Sequence, residues 1–292
     1  MSGKSDRRVK IALLSVASNT TLIIFKVLAG ILSGSVSIVS EAIHSGMDLL
    51  ASVVAFFSVK QSAKPADKEH PYGHGKIENI SGIVEGLLIF IAAALIVKSA
   101  VQKIFNQVEI EQAGVAIAVM CISSLINLFV SRKLYKVAKE EDSMALEADA
   151  LHLKTDVYTS LGVGLGILLI KLTGLLILDS IVAILVALLI VKEAWELCKN
   201  ALEYLIDIKL PDAEEAKIEE AIKEHSHQFI EYHKLKTRKS GNVKHIDFHI
   251  VVNPNLTVRE THEIVGGLKK DLNDRFKNTR VSIHVDPDKE EL

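Results

Sequence analysis

Two pairs of ionisable side chains, His44 with Asp48 and His152 with Asp156, interrupt stretches of this chain that are otherwise apolar enough to lie in hydrocarbon. Each pair has i, i+4 spacing, so imidazole and carboxylate share one helix face a turn apart. A charged group in hydrocarbon costs about 2.5–3.5 kcal/mol or more, and its presence there demands a compensating partner. Two nitrogens and two oxygens from two helices form a donor set that a tetrahedral divalent cation accepts.

Composition supports a chain of two characters. Mean hydropathy is +0.29, yet 24% of the 292 residues are charged. A uniform globule does not combine these values; a membrane part joined to a soluble part does. The formal net charge of −2 gives no electrostatic reason to expect a nucleic-acid partner. Cys121 and Cys198 form no framework and read as helix-packing thiols.

Six segments are long enough to cross a bilayer of ~30 Å: 10–32, 36–60, 79–104, 112–134, 145–171 and 175–199. The first follows a basic start without a small-residue cleavage site, and reads as a retained span. Lys4, Arg7, Arg8 and Lys10 precede it; Lys60, Lys64, Lys68 and Lys76 follow the second, and Arg132, Lys133, Lys136 and Lys139 the fourth. The other connections hold little beyond Lys103 and Lys171, so both termini are expected in the cytoplasm, with the chain in the cell's inner membrane. Counting inward at 1.5 Å per residue places the first pair roughly 12–18 Å below the outer face and the second roughly 10–17 Å above the inner one. Both pairs therefore come near the midplane. A lone membrane histidine more often bonds another helix than a metal, but two matched pairs at one depth reverse that preference.

The fold class expected is a polytopic α-helical membrane domain of six spans, residues 1–205, followed by a cytoplasmic α+β domain, residues 206–292. In the latter, PDAEEAKIEEAIKEH reads as a helix started by Pro211 and Asp212. FIEYHKLKTRKS and VKHIDFHIVVN alternate as strands about the turn Ser240-Gly241-Asn242, then come a second helix and the strand TRVSIHVDP. The order αββαβ predicts a small antiparallel sheet with helices on one face, a metallochaperone- or ferredoxin-like unit.

Two further clusters carry donors. Asp67, His70 and His74 sit three and four apart in a loop whose Pro71, Gly73 and Gly75 forbid regular helix, and suit a partly hydrated zinc ion. Seven of the eleven histidines lie beyond residue 200. There His233, His249, His284 and Asp286 are expected on one sheet surface, with His262 on the second helix added as a candidate. His225, His227, His245 and Asp247 read as solvated polar positions, with Ile246, Phe248 and Ile250 on the core face.

The HSGMD of 44–48, the HLKTD of 152–156, the loop HPYGHGKIE and the closing SIHVDP together resemble the cation diffusion facilitator family of divalent-metal transporters, over nearly the whole chain. The resemblance implies that His44, Asp48, His152 and Asp156 form the transport site, in the version of zinc-selective members; some bacterial members carry Asp at the position of His44. It also implies that Asp67, His70 and His74 form a loop site. His233, His249, His262, His284 and Asp286 would form a two-metal tail site in which the aspartate is shared. A homodimer is implied too, with Lys76 and an acid near the end of the sixth span, Asp207 or Glu203, as a charge interlock.

Because only neutral imidazole ligates, protons compete with metal for the same nitrogens, which suggests exchange of exported Zn2+ for protons. Iron(II), cadmium, cobalt or nickel remain alternative ions. A non-transporting metal-sensing scaffold is the alternative function. Enzymatic readings fail: His-x-x-His clusters of membrane oxygenases are lacking, and His262-Glu263 is followed by Ile264-Val265-Gly266 rather than by a second protease histidine.

Overall fold

The computed structural model describes residues 2–33, 36–105, 113–175 and 177–288. The chain divides into two compact units, Met1–Leu202 and Glu203–Leu292. Six long helices come first: α1 (Ser2–Ser33), α2 (Val36–Ser62), α3 (Ile77–Phe105), α4 (Ala113–Glu141), α5 (Met144–Thr173) and α6 (Ile177–Leu205). Helix α4 continues to Glu141, past the expected end at 134. The added turns carry the charges that water tolerates and use them: Arg7 pairs with Glu140 at 2.5 Å, and Lys139 with Glu147 at 2.6 Å.

The helical unit encloses polar groups beside its apolar clusters and exposes large apolar side chains. Ser15, Ser52, Glu78, Glu85 and Asp149 are fully enclosed, while Leu125, Phe129, Leu161, Leu185 and Trp195 are exposed. A water-soluble bundle distributes these types in the opposite sense. Among the described residues, Arg7–Leu28 and Ile77–Gln102 are apolar enough to span by composition alone. These two helices qualify by length and composition, and the six spans expected from the sequence stay a proposal. Polar side chains that face other helices are compatible with a span, because they do not expose charge to lipid.

Small residues set helix spacing at particular points. A Cβ on Gly86 would lie 2.3 Å from Cys198 Sγ, so α3 and α6 meet where a side chain cannot be added. Gly46, by contrast, faces open space, and close packing does not account for it. At the start of α3, Glu78 Oε1 accepts from Arg8 Nη1 at 2.8 Å and from Ser62 Oγ at 2.5 Å, and its Oε2 accepts from Ser143 Oγ. One buried carboxylate, neutralised by arginine, therefore ties together α1, α2, α3 and the start of α5.

The second unit contains α7 (Asp212–Glu224), β1 (Glu231–Ser240), β2 (Val243–Val252), α8 (Val258–Arg275) and β3 (Thr279–Pro287), in sheet order β1-β2-β3. The hairpin turns on Gly241 at φ 59°, a conformation that glycine adopts without a Cβ penalty. The αββαβ order is present, but the sheet is mixed: β1 and β2 run antiparallel, whereas β2 and β3 run parallel. Helix α8 is the reason, because a crossover between neighbouring strands returns the chain to the same end. Ile246, Phe248 and Ile250 alternate onto the face covered by Ile218 and Ile222 of α7 and Leu268 and Leu272 of α8. Helix α8 opens with a capping box, in which Thr257 Oγ1 accepts from Glu260 N and Glu260 Oε2 from Thr257 N.

The core and the cap differ in weight. Phe248→Ala is expected to cost the tail about 3–5 kcal/mol, and Thr257→Ala about 1 kcal/mol. Urea unfolding of the tail unit reads both values; equal losses from the two variants would contradict this packing.

Candidate metal centres

In the helical unit, ligating atoms of Asp48, His152 and Asp156 lie within 4.8 Å of one another. Helix α2 supplies the first and α5 the other two. His152 Nε2 stands 3.2 Å from Asp48 Oδ1, and both side chains are almost fully buried. His44 falls on α2, but its side chain lies outside the described residues. The surroundings hold the ligands from behind. Asn127 Nδ2 on α4 donates to Asp156 Oδ2 at 3.3 Å, and Thr159 Oγ1 donates to the Asp156 carbonyl. A turn below Asp48, Ser52 Oγ donates to Asp149 Oδ1 at 3.0 Å, accepts from Asn19 Nδ2 at 2.5 Å and lies 3.1 Å from Ser15 Oγ. Lys26 Nζ donates to Ser45 Oγ at 2.6 Å.

Sequence reasoning singled out the ligand pairs and passed over Asn19, Lys26, Glu85, Asn127 and Asp149. The same signal was present for them: each is an ionisable or amide side chain within an apolar helical run. Asp149 also stands three residues before His152, on a neighbouring position of the same face.

In the loop between α2 and α3, Asp67 is the organiser. Its Oδ1 accepts from the backbone N–H of His70 at 2.6 Å and of Glu69 at 3.0 Å, closing a turn around the carboxylate. His70 Nδ1 and His74 Nε2 each come within 3.4 Å of it, with the two rings 4.5 Å apart. Gly73, at φ 91°, reverses the chain between the two histidines. The His70 backbone bond, reinforced by the nearby histidines, holds the Asp67 carboxyl below its ordinary value. His74 is buried while Asp67 and His70 are exposed, so the group faces water on one side.

The tail group is a product of strand register. His233 of β1 is paired with His249 of β2, and His249 with His284 of β3, which sets three imidazoles in one row across the sheet. Asp286 follows two residues after His284 on the same face. Its Oδ2 lies 2.9 Å from His249 Nδ1 and 3.4 Å from His233 Nε2, and its Oδ1 3.3 Å from His284 Nε2. A bulge follows His233, with Lys234 at φ 54°. His262 is on the exposed side of α8 and is not brought to this group. Two positions expected to be solvated have other surroundings. His245 is buried, and burial together with Arg238 and Arg280 pushes its pKa down. His225 Nε2 stands 3.3 Å from Asp271 Oδ2. Asp207 accepts from Arg238 at 3.4 Å within its own unit.

Asp286 is held below the ordinary aspartate value of 3.8, first by its hydrogen bond with His249 and then by the charges of His284 and His249. Folding lowers this pKa, so its contribution to stability is complete above about pH 4 and fades as pH falls through the folded value. The metal-free Asp286→Asn protein should therefore lose melting temperature less steeply with acid below about pH 4 than the parent. Parallel slopes in thermal melts would count against the contact.

Comparisons with known proteins agree with this geometry. Residues 12–206 match the cation efflux transmembrane domain, and residues 210–288 match the cytoplasmic domain of cation efflux proteins. A cation-efflux pump FieF of Shewanella oneidensis is 30% identical over 273 residues, covering 94% of this chain and 92% of that protein. An uncharacterized transporter of Synechocystis is 33% identical over 276 residues, covering 94% and 89%. Another, from Methanocaldococcus jannaschii, is 31% identical over 274 residues, covering 94% and 96%. Two family domains in order, full-length relatives and His/Asp groups in both units make one assignment: the chain belongs to the cation diffusion facilitator family of divalent-metal transporters.

Proposed function

We propose that this transporter exports a divalent transition-metal cation, zinc foremost, from the cytoplasm in exchange for protons. The observation that carries the reading is the convergence of buried Asp48 and His152 with half-buried Asp156 from two helices. His44, one turn before Asp48 on α2, is the fourth donor on this reading. Two carboxylates neutralise the ion's two charges, which a dehydrated cation in hydrocarbon requires. Nitrogen and carboxylate oxygen together suit zinc, while affinity order also admits iron(II), cobalt, nickel and cadmium.

The six long helices act as six spans with both termini in the cytoplasm, in the inner membrane of the cell. An ion arriving from the cytoplasm displaces the contact between His152 and Asp48 and any proton on the imidazoles. Facing outward, protons compete for the same nitrogens and release it, so that metal leaves as protons enter. Alternating access comes from helices rocking about this fixed group.

Asp67, His70 and His74 form a peripheral, hydrated site. In the tail, His233, His249, His284 and Asp286 offer three nitrogens and a carboxylate whose two oxygens face different imidazoles, which suits one aspartate bridging two zinc ions. Occupancy there favours the homodimer and biases the transport equilibrium. His262 joins this site only if α8 or a partner subunit brings it in. A Lys76 interlock with Asp207 or Glu203 belongs to the same dimer reading.

Zinc flux into proteoliposomes tests the core of this assignment. Asp48→Ala and Asp156→Ala should each abolish uptake, while Asp67→Ala leaves at least part of it. Undiminished flux in both membrane variants would defeat the assignment. An acid gradient on the release side should accelerate flux; indifference to it would make the protein a uniporter.

A further inference from the structure

We propose that Asn127 is a positioning residue that keeps Asp156 a one-oxygen ligand and so biases the membrane group toward four-coordinate ions. The inference rests on the transport reading above. Asn127 belongs to α4, a helix that contributes none of the donors to that group. Its side chain is buried, and its Nδ2 donates to Asp156 Oδ2 at 3.3 Å. The contact is anchored one turn away: Ser131, four residues on and on the same face of α4, donates through Oγ to the Ala150 carbonyl at 2.7 Å. These two rungs fix the rotation of α4 against α5 and leave Asn127 directed at the ligand.

The chemistry of the amide settles its orientation. Turned over, it would set a carbonyl oxygen against a carboxylate oxygen, two acceptors facing each other. In the orientation present, Oδ1 of Asn127 is enclosed and accepts no hydrogen bond. A buried acceptor without a donor is unfavourable, so this packing gives up one good hydrogen bond in order to aim an N–H at Asp156. That is the behaviour of a residue placed for its partner rather than for its own satisfaction.

The amide takes one of the two lone pairs on Oδ2 and fixes the rotation of the Asp156 carboxylate, which favours approach of a cation to Oδ1. Turning Asp156 to chelate through both oxygens bends or lengthens the Asn127 bond. Four-coordinate zinc and cobalt need one oxygen from each carboxylate, whereas oxygen-seeking ions of higher coordination number, such as Mn2+, gain from two. Asn127 therefore penalises the second class without touching the ion.

The test uses full-length protein in which His70→Ala, His74→Ala, His249→Ala and Asp286→Ala confine cobalt binding to the membrane group. Wild-type Asn127 should give the intense visible absorption of four-coordinate Co2+. Asn127→Leu keeps the bulk but removes the N–H; its absorption should weaken severalfold, and the ratio of the KM for Mn2+ to that for zinc should fall about tenfold, the size expected for a residue behind a ligand. Asn127→Ser, which retains a donor, should recover both toward wild type. Asn127→Ala provides the same comparison if leucine disturbs helix packing. An unchanged cobalt spectrum, or an equal loss for every ion in each variant, would overturn the positioning role. A parent protein that neither binds cobalt nor moves any divalent ion would instead remove the transport reading.

Discussion

Dehydration of charge governs the helical unit. A carboxylate taken out of water needs compensation, and the carboxylates of this unit find it in different partners. Glu78 is paired with Arg8 and hydroxyl donors, which makes a permanent contact between helix ends. The Asp48 carboxylate lies beside His152, and the Asp156 carboxylate accepts from the amide of Asn127. The first arrangement is complete in itself, and its removal would leave an uncompensated charge. On the proposed reading, a cation or protons complete the second. Glu78 thus differs from Asp48 and Asp156 in its partners, while in burial Glu78 and Asp48 are alike and Asp156 is half-buried.

The tail reaches a similar donor set by another route. A bundle must fold two distant helices together to converge its ligands, whereas a sheet converges them through register. His233, His249 and His284 come from three strands, yet cross-strand pairing puts them in line, and alternation places Ile246, Phe248 and Ile250 on the opposite face. A slip of one residue would exchange these faces, burying imidazole and exposing Phe248. The hydrophobic core thus enforces the geometry of the histidine row, and mutations in that core would act on the row without touching it.

Much of this was legible in the sequence. The three strands of the tail, the nearness of His152 to Asp156 and the loop triad follow from period, spacing and turn residues, since these are local properties. What escaped was non-local. The parallel pairing of β3 with β2 depends on where α8 returns the chain, which no strand encodes. The burial of His245 beside arginines depends on packing across the sheet. His262 shares its residue type with the tail group but stands on the exposed side of α8, apart from that group in the single chain. Asn127, Asp149 and Glu85 were visible as polar residues in apolar runs, yet only tertiary contacts reveal that the first touches a ligand and the second binds Ser52 beneath it.

The three donor groups differ most in water access. Asp48 and His152 are enclosed, His233 and His249 of the tail are partly covered, and Asp67, His70 and His284 are open to solvent. On the proposed reading, an ion entering the enclosed group would shed its hydration and gain stronger electrostatic attraction at low dielectric, which would concentrate selectivity there. An ion at the loop keeps part of its water and exchanges easily, since solvent competes for every ligand. A group that discriminates must therefore be dry, and a group that merely gathers ions is served by remaining wet. The same His/Asp chemistry can perform both tasks in one chain because burial, rather than ligand identity, sets the cost of the last water molecule.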